Sequence, residues 1–192
     1  TPYKPSALDE DKFSPAPQTA NKVMPDVKIA VAEKEPVIDG DLSDFPKSCV
    51  VDAFTHKGSE APKHKTVAWL ACDKRNLYVA FQCSVPDASK VDTKQFPRDM
   101  GAVYGAESVE MFFDPASSRK EYYQIAVNAV NSQADCGPGR NPGWNGKWRS
   151  ATRINREANS VDYEIAIPFS DFADADMADW QKSAEVHRML AQ

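Results

Sequence analysis

The sequence predicts an all-β fold: an antiparallel β-sandwich of jelly-roll or immunoglobulin-like type, with a proline-rich N-terminal arm and a C-terminal tail that could be helical. Three observations carry this. Apolar residues alternate with period two in several short stretches, which is how a strand presents one face to a core. Turn-forming residues separate those stretches roughly every ten residues, as in a sandwich. The alternation is absent from both ends of the chain.

Residues 1–27 hold Pro2, Pro5, Pro15, Pro17 and Pro25 and little apolar material, so they read as an arm or linker that buries no core. Residues 28–170 form the predicted sandwich module. Thr66–Cys72 is rich in β-formers, and Leu77–Cys83 follows after Asp73, Lys74, Arg75 and Asn76, which predicts a β-hairpin with a four-residue loop. In Ser108–Asp114, Val109, Met111 and Phe113 share one face. Tyr122–Ala129 puts Tyr123, Ile125, Val127 and Ala129 on its apolar face, and Tyr122, Gln124, Ala126 and Asn128 on the other. Val161–Ile167 puts Val161, Tyr163, Ile165 and Ile167 inward and Glu164 outward. Val27–Ala32, Cys49–Phe54 and Trp148–Ile154 are shorter strand candidates. Residues 171–192 lack alternation; Asp174 or Asp176 could cap a helix running through Trp180, Ala184 and His187.

Composition removes several function classes. A chain of 192 residues has room for one ordinary domain. Its 23 Lys+Arg against 28 Asp+Glu leave a net charge of −5 and no basic stripe, so nucleic acid is not an expected partner. No apolar run approaches the ~20 residues of a membrane helix, so no membrane partner is expected either. The DG and NG pairs are Asp39-Gly40 and Asn145-Gly146, and no phosphate-cradling glycine motif is present. The three histidines lack metal-ligand spacing. No nucleophile–base or H-E-x-x-H constellation occurs. Glu107 and Glu110 could be nominated as a glycosidase pair, but i and i+3 on a strand face opposite ways. The chain is therefore expected not to be an enzyme.

The polar strand faces are the informative positions. Gln124 and Asn128 share the polar face of one strand and Glu110 lies on that of another; if the strands are neighbours, two amides and a carboxylate converge. Such groups suit hydroxyl-rich ligands, because each sugar hydroxyl both donates and accepts, while aromatic rings cover the apolar faces of sugar rings. The loop Pro86–Ala106 supplies Phe96, Arg98, Asp99 and Tyr104. The loop Asn131–Lys147 supplies Cys136, Gly137, Gly139, Arg140, Gly143, Trp144 and Asn145, with Trp148 just after. Trp69 alternates with Val67 and Ala71 and reads as core. The candidate carbohydrate contacts are Tyr104, Glu110, Gln124, Asn128, Trp144, Arg98 and Trp148. Asp39, Asp41 and Asp44 cluster oxygen ligands on one turn, a calcium-like arrangement without the EF-hand spacing, against which stands a polar turn with Asp caps.

The four cysteines, Cys49, Cys72, Cys83 and Cys136, form no C-x-x-C pair. An even count permits two disulfides and an oxidising compartment, or else buried thiols. The hairpin register sets Cys72 opposite Leu77 and Cys83 opposite Thr66, about 20 Å apart at ~3.4 Å per residue. A bridge needs Cα atoms within about 7 Å. The pairings left are Cys49–Cys72 with Cys83–Cys136, or Cys49–Cys83 with Cys72–Cys136.

Five segments, in order, carry a family resemblance. Val37–Leu42 with Phe45 is similar to "IDGxLxDxxW", Asn76–Phe81 to "xLYVAFxxxDP", Glu107–Pro115 to "DSVEVFLDP", Tyr123–Asn128 to "YYQFxVN", and Tyr163–Phe169 to "EVAIPF". Together, over about residues 36–170, they resemble the family 9 carbohydrate-binding modules. The resemblance implies a jelly-roll β-sandwich, bound calcium, no catalysis, and a module of a secreted, periplasmic or cell-surface glycan-degrading protein. Such a module works with a glycoside hydrolase and binds xylan- or cellulose-like sugars. In binding members a sugar lies between two tryptophans, with Gln, Asn, Arg and Glu on its hydroxyls. Tyr104 stands where the first tryptophan is expected, and Ala126 where binding members carry arginine. The family usually continues past "AIPF" with more strands, so the chain reads as one module of a larger protein. Two alternatives remain from the sequence. One is a b-type haem electron-transfer domain of related fold, with Met100, Met111 and His187 as raw material. The other is a structural or interaction module without a ligand.

Overall fold

The computed structural model describes residues 27–56, 60–115 and 120–172. Nine strands run through them in chain order: β1 (Ala30–Val31), β2 (Val50–Val51), β3 (Thr66–Cys72), β4 (Asn76–Ser84), β5 (Ser108–Phe113), β6 (Tyr123–Asn128), β7 (Gln133–Cys136), β8 (Arg149–Asn155) and β9 (Ser160–Pro168). They form two sheets. The larger has the order β1-β3-β4-β9-β8, with β2 also pairing β3; the smaller has the order β5-β6-β7. Every pairing is antiparallel except β1 with β3, which is parallel.

The inward faces meet in one core. Leu70, Leu77, Val79, Val161, Tyr163, Ile165 and Ile167 of the larger sheet pack with Val109, Met111, Phe113, Tyr123, Ile125 and Val127 of the smaller. These are the apolar faces that the alternation predicts, so two sheets each carrying one apolar face bury it against each other. The β3–β4 hairpin has the predicted register, with Cys72 opposite Leu77 and Thr66 opposite Cys83. Its turn is shorter by one residue than predicted, because Asn76 opens β4. Asp73 builds that turn: its Oδ1 accepts from the Arg75 and Asn76 N–H groups, and its Oδ2 from the Tyr78 hydroxyl.

Four features differ from the sequence reading. First, β7 lies inside what reads as a glycine-rich loop. Gln133-Ala134-Asp135-Cys136 has no β-branched or aromatic residue, and pairing with β6 alone makes it a strand. Second, Trp69 is not in the main core. It is half-buried on the outer face of the larger sheet, beside Leu42, Phe45 and Tyr78, with Lys47 Nζ 5.6 Å from its ring centre. Third, Phe172 is fully buried and Asp171 nearly so, although both fall in the predicted tail. The remainder of that tail and residues 1–26 of the arm lie outside the described residues. Fourth, all four cysteines are free thiols. Cys83 packs on the inner core, whereas Cys136 lies on the outer face of the smaller sheet against Gln124. A strand layer separates Cys136 from Cys72 and Cys83, so both predicted two-bridge pairings fail.

Candidate functional site

The outer faces of the two sheets are built in different ways. On the larger sheet, the segment carrying Asp39, Gly40, Asp41 and Asp44 lies across β9. Glu164, fully buried, accepts hydrogen bonds at Oε2 from the backbone N–H of Asp39 (3.0 Å) and of Gly40 (2.7 Å). Gly40 has φ of +87°, and a Cβ there would stand 3.0 Å from the Thr152 carbonyl carbon, so only glycine suits both the backbone angle and the close approach. Burial pushes the Glu164 carboxyl up to about 6, against the opposing effect of the two N–H bonds.

The three aspartates of that turn act as caps. Asp39 Oδ1 accepts from Asp41 N–H, Asp41 Oδ1 from Ser43 N–H, and Asp44 Oδ2 from Val37 N–H. Asp41 Oδ2 pairs with Arg153 at 3.1 Å. Among the described residues no three acidic, histidine or cysteine side chains converge on a point that could hold a metal. One oxygen each of Asp39 and Asp44, and both of Asp41, are engaged by backbone N–H groups or the Arg153 guanidinium.

The smaller sheet keeps part of its outer face open. Residues Glu110 and Phe112 of β5, Gln124 of β6 and Cys136 of β7 lie there, in adjacent registers. Gln124 Nε2 donates to Glu110 Oε2 at 2.6 Å, and the Cys136 thiol approaches Gln124 Oε1 at 3.7 Å. Tyr122, just before β6, stacks edge-on against Phe112 with ring centres 5.1 Å apart. Both rings are half-exposed. Tyr104, also half-exposed, packs with Phe96 and Val103 against Ala126 and Ala134. Burial, then the neighbouring Cys136 and Glu110, push the Tyr104 hydroxyl up to about 12. Along one face of β6, Gln124 thus lies between the Tyr122–Phe112 pair and Tyr104.

The loop before β5 explains Ala126. Two short 3-10 turns, Ala88–Lys90 and Gly101–Val103, shape it. Val103 is fully buried over Ala126 and Ala134, whose methyl groups let the loop dock closely. An arginine at 126 would have to displace that loop.

The other sequence-predicted contacts lie elsewhere. Asn128 is buried, and its Oδ1 accepts from Val130 and Ser132 N–H, which shapes the β6–β7 turn. Trp148 is buried in the core, donating from Nε1 to Asp135 Oδ2 at 2.7 Å. Arg98 donates to Asp135, Gln133 and the Gly146 carbonyl and lies 5.3 Å from the Trp148 ring centre. Arg98 and Trp148 therefore meet in a structural knot at the β7 edge. Asp99, at φ +62°, closes that edge by donating its N–H to the Gln133 carbonyl and accepting from Asp135 N–H. Trp144 is half-buried, 5.0 Å from the Tyr123 ring centre, and a Cβ at Gly137 would meet it at 2.8 Å. Met111 is core, Met100 is exposed, and His187 lies outside the described residues. Phe112 and Tyr122 are what the sequence reading passed over. Their signal is an aromatic at a polar-face position of an alternating strand, two residues from Glu110 and from Gln124.

No family model matches the chain, and no curated protein matches it. Solved structures do. A family 9 carbohydrate-binding module from Caldicellulosiruptor kristjanssonii in complex with glucose is similar at 20% identity over 74% of this chain and 69% of that chain, with a TM-score of 0.48. Its complex with cellotriose gives 19% identity, 74% and 67% coverage, and 0.49. A candidate carbohydrate-binding protein from Bacteroides uniformis ATCC 8492 has 16% identity over 78% of this chain and 74% of that chain, with a TM-score of 0.55. At such identities the likeness is one of architecture: the chain shares the two-sheet fold of the Bacteroides uniformis protein.

Proposed function

We propose that this protein is a non-catalytic carbohydrate-binding module that takes a neutral oligosaccharide on the outer face of β5–β6–β7. The observation that carries the reading is the Gln124–Glu110 pair, set between the Tyr122–Phe112 rings and Tyr104. The amide has a second N–H to offer and the carboxylate keeps accepting sites, so together they can meet hydroxyls that both donate and accept. The half-exposed rings offer area for the C–H faces of a pyranose. Glu110 on the face, and a net charge of −5, disfavour anionic glycans. The sugars named with the Caldicellulosiruptor kristjanssonii module are glucose and cellotriose, and xylan- or cellulose-like chains are the class we assign. A secreted, periplasmic or cell-surface setting beside a glycoside hydrolase belongs to the same proposal.

Calorimetric titration with xylo- and cello-oligosaccharides tests it. The expected result is saturable heat for at least one series, reduced about tenfold in affinity by Gln124→Ala. No heat with either series at millimolar sugar overturns the reading.

A further inference from the structure

A second polar cleft, of about 260 Å³, opens at the β6–β7 turn, between residues 95–98 and 130–133. Gln95, Phe96, Arg98, Asn131, Ser132 and Gln133 line it. It adjoins the Gln124 site without including it: Gln133 pairs with Val127, three residues along β6 from Gln124, roughly 10 Å at ~3.3 Å per residue, and Phe96 packs with Tyr104 against Ala126 and Ala134.

Its walls are held in place before any ligand arrives. Phe96 N–H donates to Ser132 Oγ at 2.9 Å. Asn131 is tied twice to Ser150: its Nδ2 donates to the Ser150 carbonyl and its Oδ1 accepts from the Ser150 hydroxyl. Gln133 Nε2 donates to the same hydroxyl oxygen, and Gln133 Oε1 accepts from Arg98. Asn131 sits at φ +62°, in the left-handed region that asparagine adopts more readily than most side chains, and its N–H closes the turn on the Asn128 carbonyl. Each of these two amides uses one N–H internally and retains another. The Phe96 ring is half-exposed, and Lys94 Nζ stands 5.4 Å from its centre, so one ring face is within reach of a flexible group. Arg98, a lining residue, is ion-paired to Asp135, and Lys94 over the Phe96 ring is a second cation at the rim.

We infer that this cleft is a second glycan subsite, sized for one pyranose ring. The class of ligand rests on the glycan-binding reading above; the place rests on the cleft itself. Amides in fixed positions around a half-exposed ring match a polyol with an apolar face. The volume lies below that of pockets for drug-sized ligands, which suits one sugar ring.

Amide-resolved NMR titration of the full chain with D-glucose, D-xylose and D-galactose tests the inference. The expected result is saturable shifts at residues 95–98 and 130–133 with at least one sugar. They should weaken about tenfold in Asn131→Gly, which keeps the positive φ, and in Gln95→Ala, whose side chain is exposed. They should persist in Glu110→Ala, whose side chain is exposed and bonds Gln124 rather than a cleft residue. Shifts confined to residues 104, 110 and 124, or cleft shifts indifferent to Asn131→Gly and Gln95→Ala, overturn the second subsite and leave the first reading intact. Shifts nowhere with any of the three sugars overturn the subsite, and the failure of oligosaccharide calorimetry would overturn the first reading separately.

Discussion

Glu110 and Glu164 occupy equivalent positions in the sequence pattern, each on the non-apolar face of an alternating strand, yet the fold treats them as opposites. Glu164 is 0% exposed beneath the Asp39–Asp44 turn and holds two backbone N–H groups. Glu110 is exposed, and Gln124 donates to it on an open sheet face. The difference comes from what covers each face. The turn over β9 needs an acceptor for N–H groups that would otherwise be buried unpaired. Over the smaller sheet, the loop that ends at Tyr104 docks on Ala126 and Ala134 and stops short of Glu110. A carboxylate on a polar strand face therefore becomes a fastener when a segment crosses it and a ligand contact when none does.

The comparison can be broken in several ways. Glu164→Ala should cost the most, about 3 kcal/mol, since it leaves the buried Gly40 N–H and the part-buried Asp39 N–H without an acceptor and a cavity under the turn. Glu110→Ala should stay within about 0.5 kcal/mol. Denaturant unfolding of both measures the contrast, and equal losses would collapse it. Gly40→Ala should cost about 2 kcal/mol by the same assay, because the positive φ and the Thr152 backbone both oppose a Cβ.

Acid provides a subtler test. Glu164 is raised from 4.5 to about 6, so the folded state binds its proton more tightly than the unfolded chain. Its contribution is then fully present below pH 4.5 and is lost as pH rises through about 6, some 2 kcal/mol in all. Burial raises Asp135 and Asp171 in the same direction. Glu164→Gln mimics the neutral form and should flatten the fall in stability between pH 4.5 and 6.5; an unchanged slope would assign it to other groups. The smallest effect is expected at Tyr104. Tyr104→Phe should leave stability within about 0.5 kcal/mol and weaken oligosaccharide binding a few-fold, as loss of one hydroxyl contact does. Calorimetry on the variant reads it.

Much of the fold is legible in the chain because burial writes itself as alternation. β3, β5, β6 and β9 appear within a residue or so of their predicted bounds, and the Cys72–Leu77 register holds. β7 is not legible, since Gln133–Cys136 has no strand propensity and forms because β6 offers an edge. The candidate site divides along the same line. Gln124 and Glu110 follow from period two. The burial of Asn128, the core position of Trp148 and the knot around Arg98 depend on how the β6–β7 turn closes and on what reaches Asp135.

The period-two pattern alone pointed to a β-sandwich and to most of the residues that face its core, Trp69 excepted, because apolar area removed from water is local to each strand. It also put a carboxylate and an amide on polar faces. Tertiary structure alone decided which polar face stays open. That choice depends on where long loops dock, and docking turns on contacts between residues far apart in the chain: Val103 on Ala126 and Ala134, Gly40 against Thr152, and Glu164 under Asp39.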